Sequence, residues 1–344
     1  RRDRPHGRGH WPDAGGARDT VTADWRPTAT RDALRRRAAL LAQTRRFFAD
    51  RGVLEVETPA VCAAAASDPQ IESFAVRAPD NRLQGYLHTS PEYAMKRLLA
   101  AGSGDIYQLC KVFRAGERSA LHNPEFTLLE WYRQGFTLAA LMQETAELAR
   151  DLLANEGEAA RQITTVSYRE AFLRQLDLDP FTAGDAVLAQ RAQENGLAAG
   201  SIASATRDEL LDFLVATQVG PRLGQGGLCC LHHYPASQAS LAQLDPEDPT
   251  TAQRFELYAD GVELANGYVE LGDAAEQQRR FAADRVERQR RGLAPHAGDE
   301  RLLDALGSGL PACAGVAMGF DRVVMLALRE PRIDGVLSFP VERA

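Results

Sequence analysis

No apolar run in this sequence approaches the ~20 residues needed to cross a bilayer, and the Arg-rich, polar N-terminus has no hydrophobic signal core. A cytoplasmic protein without a membrane partner is therefore expected. Cysteine is sparse: Cys62, Cys110, Cys229, Cys230 and Cys313 are scattered and odd in number, which argues against a disulfide framework. Cys229 and Cys230 stand near His232 and His233 in LCCLHHYP. That segment reads as a buried strand whose side chains alternate faces, and no second ligand pair of zinc-site spacing occurs elsewhere. Positive charge is not in excess either. A net charge of −7 and a pI near 5.6 argue against a protein whose main partner is a nucleic-acid backbone, though a local basic patch remains open. Internal repeats and low-complexity tracts are missing.

What is present is the balance of an ordinary soluble globular protein, 44% hydrophobic and 25% charged over 344 residues. That length holds roughly two domains of ~150 residues, or one large core with an insertion. Residues 1–26 combine Arg, Gly, Pro, Asp and His with almost no aliphatic side chains, so a disordered tail is expected there and a folded unit over 27–344. Leu34, Ala38, Leu41, Ala42, Phe47 and Phe48 recur at helical spacing over 31–50, and Gly52 ends that helix. VLEVETP then alternates as a strand up to Pro59. Further strands are expected in IESFAVR, GYLHTS, DIYQLCKVFR and EFTLLEWYR, with a helix over 91–101 between them. Strands following one another with few helices between them favour an α+β class, with a mostly antiparallel sheet flanked by helices. Helices dominate about 138–224, which reads as an insertion, before strands return in GLCCLHHYP, RFELYAD and GVELANGYVEL. A charged helix over 274–291 follows, and CAGVAMGFDRVVMLAL reads as a small-residue strand running into a helix.

Four segments carry chemistry. Between DIYQLCKVFR and EFTLLEWYR lies a polar loop starting at Arg114, where a strand-end guanidinium can clasp an anion and Phe126 offers a flat surface to a base. A solvated loop with an ordinary arginine is the rival reading. In GVAMGFDRVVML, Gly315, Ala317 and Gly319 leave one strand face bare and Arg322 opens the next helix, where it can hold a phosphate; close helix-on-strand packing is the rival. The glycine spacing is not that of a dinucleotide fingerprint. In GVELANGYVEL, Glu263 and Glu270 would face opposite sides of an unbroken strand, but a bulge at Asn266–Gly267 would bring both to one face to hold Mg²⁺ or an ammonium. Plain edge-strand glutamates are the alternative. In HTSPEYAMKRLL, Ser90 and Pro91 start a helix with Glu92 in its first turn, which capping alone explains. Glu130 and Tyr132 share a strand face and can add a carboxylate and a phenol to the same cleft.

In this order the segments resemble the class II aminoacyl-tRNA synthetases of the lysyl subgroup, with a match running from Trp25 to Ala344. Residues 31–59 resemble motif 1, the dimer element; Arg114 through Arg133 resemble motif 2; Gly315 through Arg322 resemble motif 3. TSPEY, HNPEF and ELANGYVEL are similar to signatures of the lysine-type pocket. A lysyl-tRNA synthetase carries an OB anticodon-binding domain before motif 1, and here only the short tail precedes it. That feature, with PASQASLAQ at 235–243 and the terminal VERA, resembles the elongation factor P β-lysine ligases, a paralogous family. Ala317 stands where the tRNA-charging relatives usually have glycine. Motif 2 usually reads Arg-x-Glu, whereas here Gly116 occupies the glutamate position and Glu117 follows. Either Glu117 shifts into the adenine contact or backbone groups near Gly116 make it.

The resemblance implies a class II synthetase catalytic fold, a homodimer, and activation of (R)-β-lysine by ATP and Mg²⁺, followed by transfer to elongation factor P rather than to tRNA. It implies that Arg114 and Arg322 are catalytic, holding the α- and γ-phosphates, and that Glu263 and Glu270 hold the metal. Ala115, Gly116, Glu117, Asn123, Phe126, Glu263, Leu264 and Gly319 would complete the ATP site. Ser90, Pro91, Glu92, Glu130, Tyr132, Asn266, Glu270 and Ala317 would enclose the amino acid. His122 is a loop candidate for the base of the second step, against a structural hydrogen bond. A compact enzyme charging tRNA or a small acceptor with α-lysine, or a silent lysine- or ATP-binding paralogue, are the rival functions.

Overall fold

The computed structural model describes residues 25–155, 157 and 159–344, so the expected N-terminal tail lies outside the described residues except for Trp25 and Arg26. Helix α1, Arg31–Ala49, is capped by Thr30, whose hydroxyl accepts from the Ala33 amide, and buries Leu40, Phe47 and Phe48. Strands β1 (Leu54–Glu55), β2 (Val61–Cys62), β3 (Ala75–Arg77) and β4 (Leu83–Leu87) lead to helix α2 (Glu92–Ala100). Strands β5 (Ile106–Phe113) and β6 (Glu125–Gln134) follow, then α3 (Leu138–Leu152), β7 (Ile163–Ser167), α4 (Tyr168–Leu176), α5 (Asp185–Glu194), α6 (Ala199–Ile202) and α7 (Arg207–Leu214). The chain closes with β8 (Leu228–Pro235), β9 (Thr251–Ala259), β10 (Val262–Val269), α8 (Ala274–Arg290), α9 (Glu300–Gly309), β11 (Cys313–Gly319) and α10 (Phe320–Ala327).

Eight strands form one sheet in the order β1-β5-β6-β11-β10-β9-β8-β7, and β2-β4-β3 form a small second sheet. The two outermost pairings of the large sheet are parallel and all those between them antiparallel. This is the α+β, mostly antiparallel architecture expected from the order of the segments. Two expected strands are shorter than their sequence pattern. VLEVETP pairs only at Leu54 and Glu55, and IESFAVR only from Ala75, because each finds a partner for that length alone.

The main core lies between the sheet and helices α1, α3 and α10, around Phe48, Trp131, Leu141, Phe255, Phe320 and Val324. Helix α3 belongs to this core. Helices α4, α5 and α7 instead build a second cluster with β8, centred on Tyr168, Phe172, Leu188 and Leu214. Cys229 and Cys230 are buried free thiols on β8, as expected of core cysteines.

What the sheet contributes to function is a grid. Across β6, β11, β10 and β9, one row of paired residues runs Glu130, Ala317, Asn266 and Glu256. The next row on the same face runs Tyr132, Gly315, Tyr268 and Arg254. All eight residues line one cleft.

Candidate active site

The cleft has a volume of about 1050 Å³ and receives Arg114, Glu263 and Arg322 together, although they come from three distant segments. Of the residues singled out from the sequence, all line it except Ala115 and Gly116. Ala115 hands its amide to Glu72 O at 2.8 Å. Gly116 has φ +79°, a left-handed turn that favours glycine. Glu117 does line the cleft, with its carboxylate 3.8 Å from Arg114, so of the two alternatives at adenine it is the one that faces the space.

At one end the two arginines are held by weak or exchangeable contacts. Arg114 Nε donates to Thr89 O at 3.4 Å, and its guanidinium lies 5.1 Å from the centre of the Phe126 ring. Arg322 Nη1 donates to Glu263 O at 2.8 Å and approaches the Glu263 carboxylate at 3.4 Å. Its Nη2 donates to His122 Nε2 at 2.7 Å, while His122 Nδ1 bonds Ser119 Oγ at 2.7 Å. Burial and the Arg322 charge push the His122 pKa below its ordinary value. With Nε2 accepting from Arg322, this ring is a brace for the arginine, which is the structural alternative to a general base. Asn123 Oδ1 accepts from the Val341 amide and its Nδ2 donates to Glu125 O, so it ties the C-terminal residues to the rim. Asp321, missed in the sequence, braces the start of α10 by accepting from the Thr127 amide at 2.8 Å and pairing with Arg37 of α1 at 2.5 Å.

The other end is a closed nest of carboxylates. Ser90 Oγ and Tyr132 Oη donate to the two oxygens of Glu130 at 2.7 and 2.6 Å. Lys96, on α2 one turn after Glu92, reaches Glu92 at 2.7 Å and Glu270 at 2.5 Å and is 1% exposed. Tyr268 Oη donates to Glu92 at 2.5 Å. Burial, reinforced by Glu92, pushes Glu130 up to about 7. Burial works against the Lys96 charge, but Glu270 and Glu92 outweigh it and hold the lysine protonated. Glu270 Oε1 has no hydrogen-bond partner, a buried acceptor waiting for a donor. A Cβ on Gly315 would overlap both that oxygen and the Tyr132 ring, so only glycine lets the two meet across β11.

The bulge expected at Asn266–Gly267 is at Glu263–Ala265 instead, where the β10–β9 register shifts. Gly267 is glycine for a different reason, since a Cβ there would overlap Phe255 and Val316. The shift still brings Glu263 and Glu270 to the same cleft. They do not share neighbours. Glu263 lies near Glu256 and Arg322, whereas Glu270 is taken by Lys96. Among the described residues no group of three or more His, Cys, Asp or Glu side chains can hold a metal. Mg²⁺ beside phosphates needs only one or two carboxylates, and Glu263 lines the cleft next to Arg322.

Lys96, Arg254, Tyr268 and Asp321 were not anticipated. A signal existed for two of them: Lys96 is four residues after Glu92 on one helix, and Tyr268 alternates with Asn266 and Glu270. Arg254 holds Asn266 Oδ1 at 3.2 Å and Glu256 at 2.8 Å, contacts that only the strand register creates.

A family profile described as tRNA synthetases class II (D, K and N) matches residues 18–343. A Yersinia enterocolitica protein named elongation factor P–(R)-β-lysine ligase is 47% identical over 328 residues, covering 94% of this chain and 99% of the relative. Proteins of the same name from Salmonella typhi, at 47% identity, and Pectobacterium atrosepticum, at 46%, cover equal shares.

Proposed function

The chain belongs to the class II tRNA synthetase family of the D, K and N enzymes, and we propose that, like the relatives named elongation factor P–(R)-β-lysine ligase, it is a ligase of (R)-β-lysine and elongation factor P, one that activates the amino acid with ATP and joins it to a lysine of that protein. The observation that carries this reading is the cleft that holds two arginines at one end and three carboxylates at the other. A diamino acid suits that polarity, its ammonium groups toward Glu92, Glu130 and Glu270 and its carboxylate toward Arg114.

In the first step a carboxylate oxygen of the amino acid attacks the α-phosphorus of ATP, pyrophosphate leaves, and an acyl-adenylate remains. The protein's part is positioning and charge stabilisation. Arg114 steadies the α-phosphate and Arg322, braced by His122, the γ-phosphate; Phe126 stacks on adenine beside Glu117, Leu264 and Gly319. Glu263 would hold Mg²⁺, which would supply neutralisation of the phosphate charge, and Glu270 would add to that site only by giving up Lys96. Ser90, Pro91, Tyr132, Asn266 and Ala317 shape the amino-acid end. In the second step the acceptor's ε-amine attacks the acyl carbon and AMP leaves. We read residues 27–344 as one catalytic unit with the helices after β7 as its insertion. The exposed Leu54 on edge strand β1 supports α1 and β1 as the contact of a homodimer.

The test mixes enzyme, ATP, Mg²⁺ and β-lysine with elongation factor P or with tRNA and follows the acceptor's mass. A protein adduct of one β-lysyl group is the expected result. Charging of tRNA with α-lysine, or no ATP–pyrophosphate exchange with either isomer, would contradict the proposal.

A further inference from the structure

Past the amino-acid pocket the cleft continues as a groove between α7 and α8, closed on a third side by the loop at Ser67–Asp68. Its cations are spent: Arg291 pairs with Glu209 and Glu287, Arg280 with Glu276, and Arg254 with Glu256. Four aspartates remain, Asp68, Asp208, Asp212 and Asp284, and among the described residues none of them has an ion pair. Each carboxylate accepts only from neutral donors: Asp68 from the Gln70 backbone N–H at 2.7 Å, Asp208 from Ser237 Oγ at 2.7 Å, Asp212 from Gln238 Nε2 at 2.9 Å, and Asp284 from Ser67 Oγ at 2.6 Å. They feel one another across the groove. Burial, with Asp208, Glu256 and Asp68, outweighs Arg254 and pushes Asp212 up to about 6; burial and Asp68 raise Asp284. Such a groove calls for cations.

A second observation says what kind. Gln277, two turns before Asp284 on the same face of α8, is 1% exposed and lines the cleft, yet neither its amide nitrogen nor its amide oxygen has a hydrogen-bond partner. A buried amide with both halves open is matched by a group that offers one donor and one acceptor side by side. A peptide bond is such a group. A free amino acid needs only the Glu92, Glu130 and Glu270 pocket, and the groove's charge repels a nucleotide.

We infer that this groove receives the acceptor protein as an extended segment, whose basic side chains beside the target lysine meet Asp208, Asp212 and Asp284 and whose backbone pairs with Gln277. The inference rests on the reading of this enzyme as a protein ligase, and partial reactions separate the two. ATP–pyrophosphate exchange with β-lysine reports activation alone; adduct formation reports acceptor docking as well.

The experiment compares the full-length chain with D208N/D212N and, separately, with Gln277→Leu. In D208N/D212N the KM for elongation factor P rises at least about tenfold, while the KM for β-lysine in exchange stays put. The wild-type acceptor KM climbs with salt and that of the variant is nearly flat. Gln277→Leu raises the acceptor KM several-fold without lowering Tm, because an unpaired buried amide has been replaced by a hydrocarbon of similar size. A merely structural glutamine would instead lose Tm. An unchanged acceptor KM in both variants overturns the inference, as does a rise in the KM for β-lysine, which would make the groove an entry path for the amino acid. Absence of exchange in the wild type would instead remove the ligase reading beneath it.

Discussion

The two ends of the cleft are built on different terms. At the amino-acid end Lys96, Glu130 and Glu270 are at most 2% exposed; Lys96 of α2 is locked to Glu270 just after β10, and Glu130 of β6 to Ser90 and Tyr132. At the nucleotide end the side chains of Arg114, Arg322 and Glu263 keep 26%, 18% and 40% of their exposure, Arg114 pairing with Glu117 and Arg322 with Glu263 through contacts that a phosphate can replace. A small ammonium brings little binding energy of its own, so the charges that greet it must be paid for by folding and oriented beforehand. A nucleotide brings several charges and a broad base, so its site can wait half-solvated with placeholders.

That contrast can be broken most directly at Lys96. Lys96→Met leaves Glu92 and Glu270 facing each other without a cation, and removing one partner of a buried pair costs about 3–5 kcal/mol. A large fall in Tm, with loss of amino-acid saturation in exchange, is expected; a variant with wild-type Tm and KM would mean that this end is not held by charge. Arg322→Ala should slow exchange by roughly 10²–10³-fold with little change in Tm, since its contacts at Glu263 and His122 are partly exposed. A comparable loss of stability would show that the nucleotide end is prebuilt too. Gly315→Ala drives a methyl into Glu270 and Tyr132, an overpacking worth about 1–3 kcal/mol. It should appear as a raised KM for the amino acid and an unchanged KM for ATP, and an equal rise in both would erase the division between the ends. Ala317→Gly, which widens the floor by one methyl, should raise α-lysine use relative to β-lysine by roughly tenfold, measured as the ratio of kcat/KM values.

The smallest effect is one of pH. Glu130 is pushed up to about 7 by burial and by Glu92, so below that pH its carboxyl carries a proton that an incoming ammonium must displace. The group binds cations only when ionised, and the substrate ammonium groups keep their protons well above neutrality. The KM for the amino acid should therefore fall as pH rises from about 6 to about 8, with the KM for ATP moving little. A KM that rises over that interval would place the ionised carboxylate elsewhere.

Much of this was legible in the sequence, for local reasons. Period-two alternation puts Gly315, Ala317 and Gly319 on one face of their strand, and Glu130 with Tyr132 on one face of theirs, before any fold is known. The same rule failed at GVELANGYVEL, where a shift of face was expected at Gly267 and occurs between Glu263 and Ala265. Glycine there admits the neighbouring Phe255 and Val316 rather than relaxing the strand. His122 shows the same limit from the other side: its loop position offered a candidate base against a structural hydrogen bond, and only the fold reveals its contact with Arg322.

The amino-acid chain by itself determined which chemical groups exist, on which local face each stands, and that the chain folds as strands flanked by helices, because propensity and alternation act over a few residues. Only the tertiary structure decided that Tyr132 meets Glu270 across Gly315, that Lys96 closes on both Glu92 and Glu270, and that four aspartates share a groove with Gln277. Those outcomes depend on strand register and helix docking, which are settled by the packing of the whole core and leave no mark at any single position.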